Sequence, residues 1–141
     1  MEKKKLLQFK NKLEKEKEIL RKELSSFAKE DTRPKGDWDT IFPKSDDTDL
    51  DSQIQKVEKY INLLPVEHAL ELRLKNINLS LEKIEKGRYG ICEKCKKSIS
   101  MEKLKICPET KFCKNCQKAW QMTKINIKVT NVSIINKKTN F

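Results

Sequence analysis

The residues best able to do chemistry are five cysteines, all inside one stretch from Ile91 to Cys116, ICEKCKKSISMEKLKICPETKFCKNC. Cys92 and Cys95 form one C-x-x-C pair and Cys113 and Cys116 a second, with 17 residues between Cys95 and Cys113. This is the two-pair spacing of a tetrathiolate zinc site. Two intervening residues let paired sulfurs converge on one ion while backbone amides point at them, and Zn²⁺, which has no ligand-field preference, accepts four thiolates in a tetrahedron. Four protein ligands leave no position for water or substrate, so the predicted zinc is structural. Four thiolates also suit iron, which metal analysis distinguishes. Lys94, Lys96, Lys97, Lys111 and Lys114 surround the pairs and offset the dianionic charge of a zinc–tetrathiolate centre. The Gly87–Trp120 segment has little apolar material of its own, so metal binding is expected to supply much of its folding free energy, on the order of 10 kcal/mol.

Cys107 precedes Pro108 and has no partner at ligand spacing. Three readings stand: a small buried hydrophobe, a spare reactive thiol, or an alternative ligand. The first is favoured, because free cysteine is among the most buried residue types. A thioredoxin-like role for either pair is disfavoured by the lack of strand–helix alternation around them. The single histidine, His68, lies within a helical stretch far along the chain and is read as a surface residue. A thiol enzyme would have only Cys107 to offer, with no general base beside it, so no catalytic residue is assigned and the chain is read as a non-enzyme.

These groups need a scaffold. From Lys3 to about Lys29 there is no Gly or Pro, and Leu6, Phe9, Leu13, Leu20 and Phe27, with Leu24 beside the stripe, fall at helical spacings. Glu16 and Glu23 take the missing heptad places, so the seam is thin and calls for a partner helix. Residues 31–50, DTRPKGDWDTIFPKSDDTDL, hold two prolines, one glycine and six aspartates and read as a connection. Periodicity returns from Leu50 to Lys86 in two phases, Ile54, Val57, Ile61 and Leu64, then Leu70, Leu74, Ile77, Leu81 and Ile84. The six-residue step between them falls beside Pro65, where a kink or short break is expected. Gly87 is expected to end the helix as a left-handed cap.

The fold class that follows is mainly α: a long antiparallel coiled-coil hairpin over residues 1–86, with its tip at about 31–50, plus a small tetracysteine zinc-finger module over 87–120. At the helical rise the two arms would be roughly 40 and roughly 55 Å long. Composition supports narrow seams over a wide core, since charged residues are 38% of the chain and aromatic residues only 6%. No stretch fits a secretory signal or a membrane span, so a cytoplasmic, soluble protein with reduced thiols is expected. The net charge of +11 is uneven: +4 over residues 1–30, −3 over 31–62, +1 over 63–91 and +9 over 92–141. Basic ends suit an anionic partner such as nucleic acid, or are simply solvated lysine-rich faces. In the tail, residues 121–141, Ile125, Ile127 and Val129 alternate as in a short strand. An edge strand, a nucleic-acid contact and disorder all remain open for it.

Three stretches, LPVEHALELRLKNI, LEKIEKGRYGICEKC and ISMEKLKICPETKFCKNCQ, together resemble the DksA/TraR family of bacterial transcription regulators. The resemblance spans roughly Leu50 to Trp120. It implies a zinc-finger end carrying a protruding coiled coil that binds RNA polymerase directly and inserts into the secondary channel, without sequence-specific DNA recognition and, in some members, together with ppGpp. The tip candidates it implies are Asp46, Asp47, Asp49 and Asp51. Two positions depart from the family pattern: Ile54 stands where a small alanine is usual after the tip aspartates, and Lys96 where glycine usually follows the second cysteine. No ppGpp-contacting residue is assigned, and a monomer is expected. The alternative is a zinc-ribbon protein that binds nucleic acid through its basic C-terminal half.

Overall fold

The computed structural model describes residues 2–32, 36–44 and 49–122; Asp46, Asp47 and the 123–141 tail lie outside the described residues. The elements, in chain order, are α1 (Lys3–Ser25), β1 (Ala28–Glu30), β2 (Trp38–Thr40), α2 (Leu50–Glu85) and α3 (Met101–Ile106). Residues 114–122 are also helical. The chain divides into two compact units between Tyr89 and Gly90. Among the described residues no helix is long and apolar enough to cross a membrane.

In the first unit α1 and α2 form the expected antiparallel pair. Phe9, Leu13, Leu20 and Leu24 are the buried residues of α1, and they meet Leu74, Ile77 and Ile84 of α2 across one seam. Leu13, Leu24 and Ile77 are completely buried. Burial of each such side chain contributes about 1.5–3 kcal/mol. Glu16, a polar intruder in the heptad series, accepts a hydrogen bond from the Arg73 guanidinium of α2 at 3.3 Å, so the gap in the seam is bridged by an ion pair. Near the other end of α1, the Phe9 ring tilts against Tyr89 with centroids 5.7 Å apart.

Helix α1 stops at Ser25, short of the expected Lys29. Two serines explain the stop. The Ser25 hydroxyl donates to the Arg21 carbonyl and the Ser26 hydroxyl to the Glu23 carbonyl, each at 2.7 Å, so side chains compete with the backbone ladder. The chain then becomes extended. β1 and β2 pair antiparallel, with Ala28 opposite Thr40, Lys29 opposite Asp39 and Glu30 opposite Trp38. Part of the predicted connection is therefore ordered sheet, and its Trp38 is core, 4% exposed. Arg21 anchors the pair to α1 through Glu30 at 2.6 Å, and the Thr40 hydroxyl anchors it to α2 by donating to Glu67.

Helix α2 runs through Pro65 as one 36-residue helix, so of the kink or short break expected there, the break does not occur. Proline removes one backbone donor and strains one turn, but the turns on both sides keep their own ladders. The helix opens on Asp49, whose carboxylate accepts from the Ser52 amide at 3.2 Å. It closes in a Schellman arrangement: Arg88 N–H donates to the Lys83 carbonyl at 2.8 Å and Gly87 N–H to the Ile84 carbonyl at 3.1 Å. Gly87 sits at φ +66°, the left-handed cap expected of it.

Candidate metal centre

The second unit is built around the cysteines. A bridge between Ile91 and Ser98 brings the chain back on itself, with Cys92 N–H donating to the Lys97 carbonyl at 2.9 Å and Ile99 N–H to the Gly90 carbonyl at 2.7 Å. Lys96 N–H donates to the Cys92 carbonyl at 3.0 Å, closing the first knuckle. That turn forces Lys96 to φ +58°, the left-handed region in which a residue with a Cβ is disfavoured by about 1–2 kcal/mol. The departure from glycine at this position therefore carries a backbone cost. Glu93 N–H donates to the Lys111 carbonyl at 3.0 Å and ties the first knuckle to the approach of the second. The second knuckle leads into helix 114–122, where Gln117 N–H donates to the Cys113 carbonyl at 3.0 Å.

These turns gather the ligand atoms of Cys92, Cys95, Cys113 and Cys116 within 4.8 Å of one another. Cys92 is fully buried and the other three are half-buried. The Sγ atoms of Cys95 and Cys113 are 3.7 Å apart. A tetrahedron with arms of about 2.3 Å has edges of about 3.8 Å, so this separation suits two thiolates on one zinc. Backbone donors aim at the sulfurs as the spacing predicts, among them Cys113 N–H on Cys92 Sγ at 3.3 Å. Burial pushes the Cys92 thiol up, but amides of Cys95, Cys113 and Lys94 outweigh it and bring the thiol down to about 6. The Cys113 thiol is lowered by the Cys116 amide, whereas hydrogen bonding to Cys113, burial and the other sulfurs push Cys116 up to about 12. Four thiols this close cannot all ionise without a cation among them. The donor set fits one structural zinc, which would supply charge neutralisation and a cross-link.

A small apolar nucleus backs the centre. Ile99 and Leu104 are buried and Pro108 is completely so. The Lys103 ammonium donates to the Phe112 carbonyl at 2.6 Å and to the Gln117 amide oxygen, joining α3 to the second knuckle. Cys107 corrects the expectation placed on it: the thiol is exposed and outside the cluster. It is the C-cap of α3, its N–H bonded to the Lys103 carbonyl at 2.8 Å, and the helix turns Leu104 inward instead. Pro108, the next residue, is the buried one. His68 is exposed on α2, as read.

Of the four tip candidates, Asp49 and Asp51 are described. Asp49 is the N-cap of α2 and Asp51 lies exposed in its first turn. Further along α2 the sequence reading missed an acidic group between β2 and α2. Glu71 is raised above the usual carboxyl range by burial, then by the charge of Asp37 and a hydrogen bond to it, with Glu67 adding to the effect and His68 opposing it. The i, i+4 spacing of Glu67 and Glu71 was visible, but their approach to Asp37 depends on the strand pair.

Fold and centre define a helical hairpin joined to a four-cysteine zinc finger. Residues 87–119 match the family model described as the prokaryotic dksA/traR C4-type zinc finger. An uncharacterized protein of Aquifex aeolicus (strain VF5) is 35% identical over 115 residues, covering 81% of this chain and 70% of that one. The fold resembles that of transcription factor DksA2 from Pseudomonas aeruginosa, with a TM-score of 0.59 and 22% identity over 88% of each chain. This chain belongs to the DksA/TraR family.

Proposed function

We propose that the protein is a non-enzymatic transcription regulator that binds RNA polymerase directly, its helical unit entering the secondary channel. Asp46, Asp47, Asp49 and Asp51 then approach the active-site region, where their negative charge alters the stability of promoter complexes. One observation carries this reading: a zinc finger of the DksA/TraR type follows a helical hairpin whose connecting segment is acidic, −3 over residues 31–62, in a chain that is otherwise basic. The zinc does no chemistry in this scheme. It holds the second unit folded, and the family's polymerase binding comes to this chain by membership. Cooperation with ppGpp belongs to the same proposal, without assigned residues, as does action as a monomer in the cytoplasm.

The test is a transcription assay with purified polymerase and the chain carrying Asp46→Asn, Asp47→Asn, Asp49→Asn and Asp51→Asn together. Asparagine caps helices as well as aspartate does, so α2 keeps its start while the charge is lost. The wild-type chain should co-purify with polymerase at moderate salt, and the variant should keep binding while losing its effect on transcription. An unchanged transcriptional effect refutes the tip mechanism; failure of the wild-type chain to bind polymerase refutes the whole reading.

A further inference from the structure

Helix α2 carries a seam that α1 does not use. Leu50, Ile54, Val57, Ile61 and Leu64 repeat at steps of four and three, the d-a-d-a-d pattern of a coiled coil, with isoleucine at both a positions as two-stranded pairing favours. All five are exposed, at 68, 48, 44, 56 and 40% respectively. At 3.6 residues per turn this seam points about 160° away from the stripe that packs on α1. Among the described residues of the connection, Phe42 meets Tyr60 edge-on on the neighbouring strip, with centroids 5.2 Å apart. A solvated helix face has no need of five large apolar side chains in heptad register, whereas a face awaiting another helix does.

The flanking charges choose the occupant. The e positions are Asp51 and Glu58, both exposed, and the g positions are Gln53 and Tyr60. In an antiparallel pair of copies, e would face e and place acid against acid; in a parallel pair, acid would face a neutral residue. Neither arrangement attracts, and the seam is only about 21 Å long, little to hold two copies together. A helix with Lys or Arg beside its apolar stripe supplies the missing attraction. We propose that the Leu50–Leu64 seam is the docking edge for a basic-flanked amphipathic helix of a partner protein, which completes a short two-stranded coiled coil with α2. The seam adjoins the acidic tip and shares Asp51 with it, so it is tested by direct peptide binding, which does not depend on whether the tip acts on polymerase.

The experiment uses the full, zinc-loaded chain and two fluorescein-labelled helical peptides, both with Ile at a and Leu at d, one with Lys and one with Glu at e and g. Fluorescence anisotropy at low salt should show the Lys peptide binding at least roughly tenfold more tightly. Ile54→Asp with Ile61→Asp should abolish that binding while the circular dichroism spectrum is kept, since both side chains are already exposed. Asp51→Lys with Glu58→Lys should weaken the Lys peptide and strengthen the Glu peptide by a similar factor. The idea is overturned if the two peptides bind alike or not at all, or if binding survives the double aspartate variant. It is equally overturned if sedimentation shows wild-type dimers that the aspartate variant converts to monomers, because the seam would then belong to a second copy.

Discussion

The two halves of α2 present the same pattern and opposite fates. Leu50, Ile54, Val57, Ile61 and Leu64 in the first half, and Leu70, Leu74, Ile77, Leu81 and Ile84 in the second, share the step sequence four, three, four, three. Ile77 is completely buried against α1, whereas Ile61 is 56% exposed. Identical periodicity therefore says that a helix has a face to cover and nothing about what covers it. The six-residue step beside Pro65 does the separating: it rotates the second stripe to the far side of the helix, so one partner cannot serve both. Continuity through Pro65 keeps the two faces on one rigid element, which suits a hairpin whose base is structural and whose far part is free to engage another molecule.

The comparison can be broken most forcefully by removing the metal. If the second half of α2 is held by α1, chelation should cost the zinc module on the order of 10 kcal/mol and erase amide protection over 90–122, yet leave the protection of Leu74, Ile77 and Ile84 in place. Loss at both sites would show that zinc, not α1, holds that half. Next in size, Ile77→Ala should destabilise the first unit by about 3 kcal/mol in denaturant unfolding, and Ile54→Ala by no more than about 0.5 kcal/mol. Equal costs would mean that the first half is covered in solution. Asp49→Ala removes the cap of a half with little other support and should cost about 1 kcal/mol, read as faster amide exchange over 50–66 with 74–84 unchanged.

The smallest effect concerns the strand pair that leans on α2 between the two stripes. Because the folded carboxyl of Glu71 is raised, its protonated form is favoured by folding; the associated stability is fully present below the ordinary carboxyl pKa and is lost as pH rises through the raised value. Glu71→Gln should therefore flatten the pH dependence of unfolding in the mildly acidic range. At neutral pH it should add no more than about 0.5 kcal/mol, given the solvent screening of a half-exposed group. An unchanged pH profile would remove Asp37 and Glu67 from the forces acting on this junction.

What was legible from residues alone divides along the range of the interaction. The cysteine pairs announced the metal because ligand spacing is local and zinc geometry is strict. Gly87 announced positive φ for the same reason, since a cap is settled within a few residues. Residues 28–40 were less legible: the serines that stop α1 and the three-residue strands carry weak propensities, and only packing of Trp38 into the core makes the pairing worthwhile. Cys107 misled because burial statistics describe a residue type, whereas its exposure was decided by α3 turning Leu104 inward and leaving its C-cap residue outside.

By itself, then, the sequence determined the zinc ligands, the helical arms, the cap at Gly87 and the acidic character of the connection, all consequences of spacing, composition and local backbone preference. Tertiary structure alone decided which apolar stripe of α2 is core and which is surface, where α1 yields to sheet, and that Glu16 meets Arg73 rather than leaving a gap. Those outcomes depend on which of several equally apolar faces finds a partner within reach, and a repeat pattern carries no information about the length of the helix on the other side.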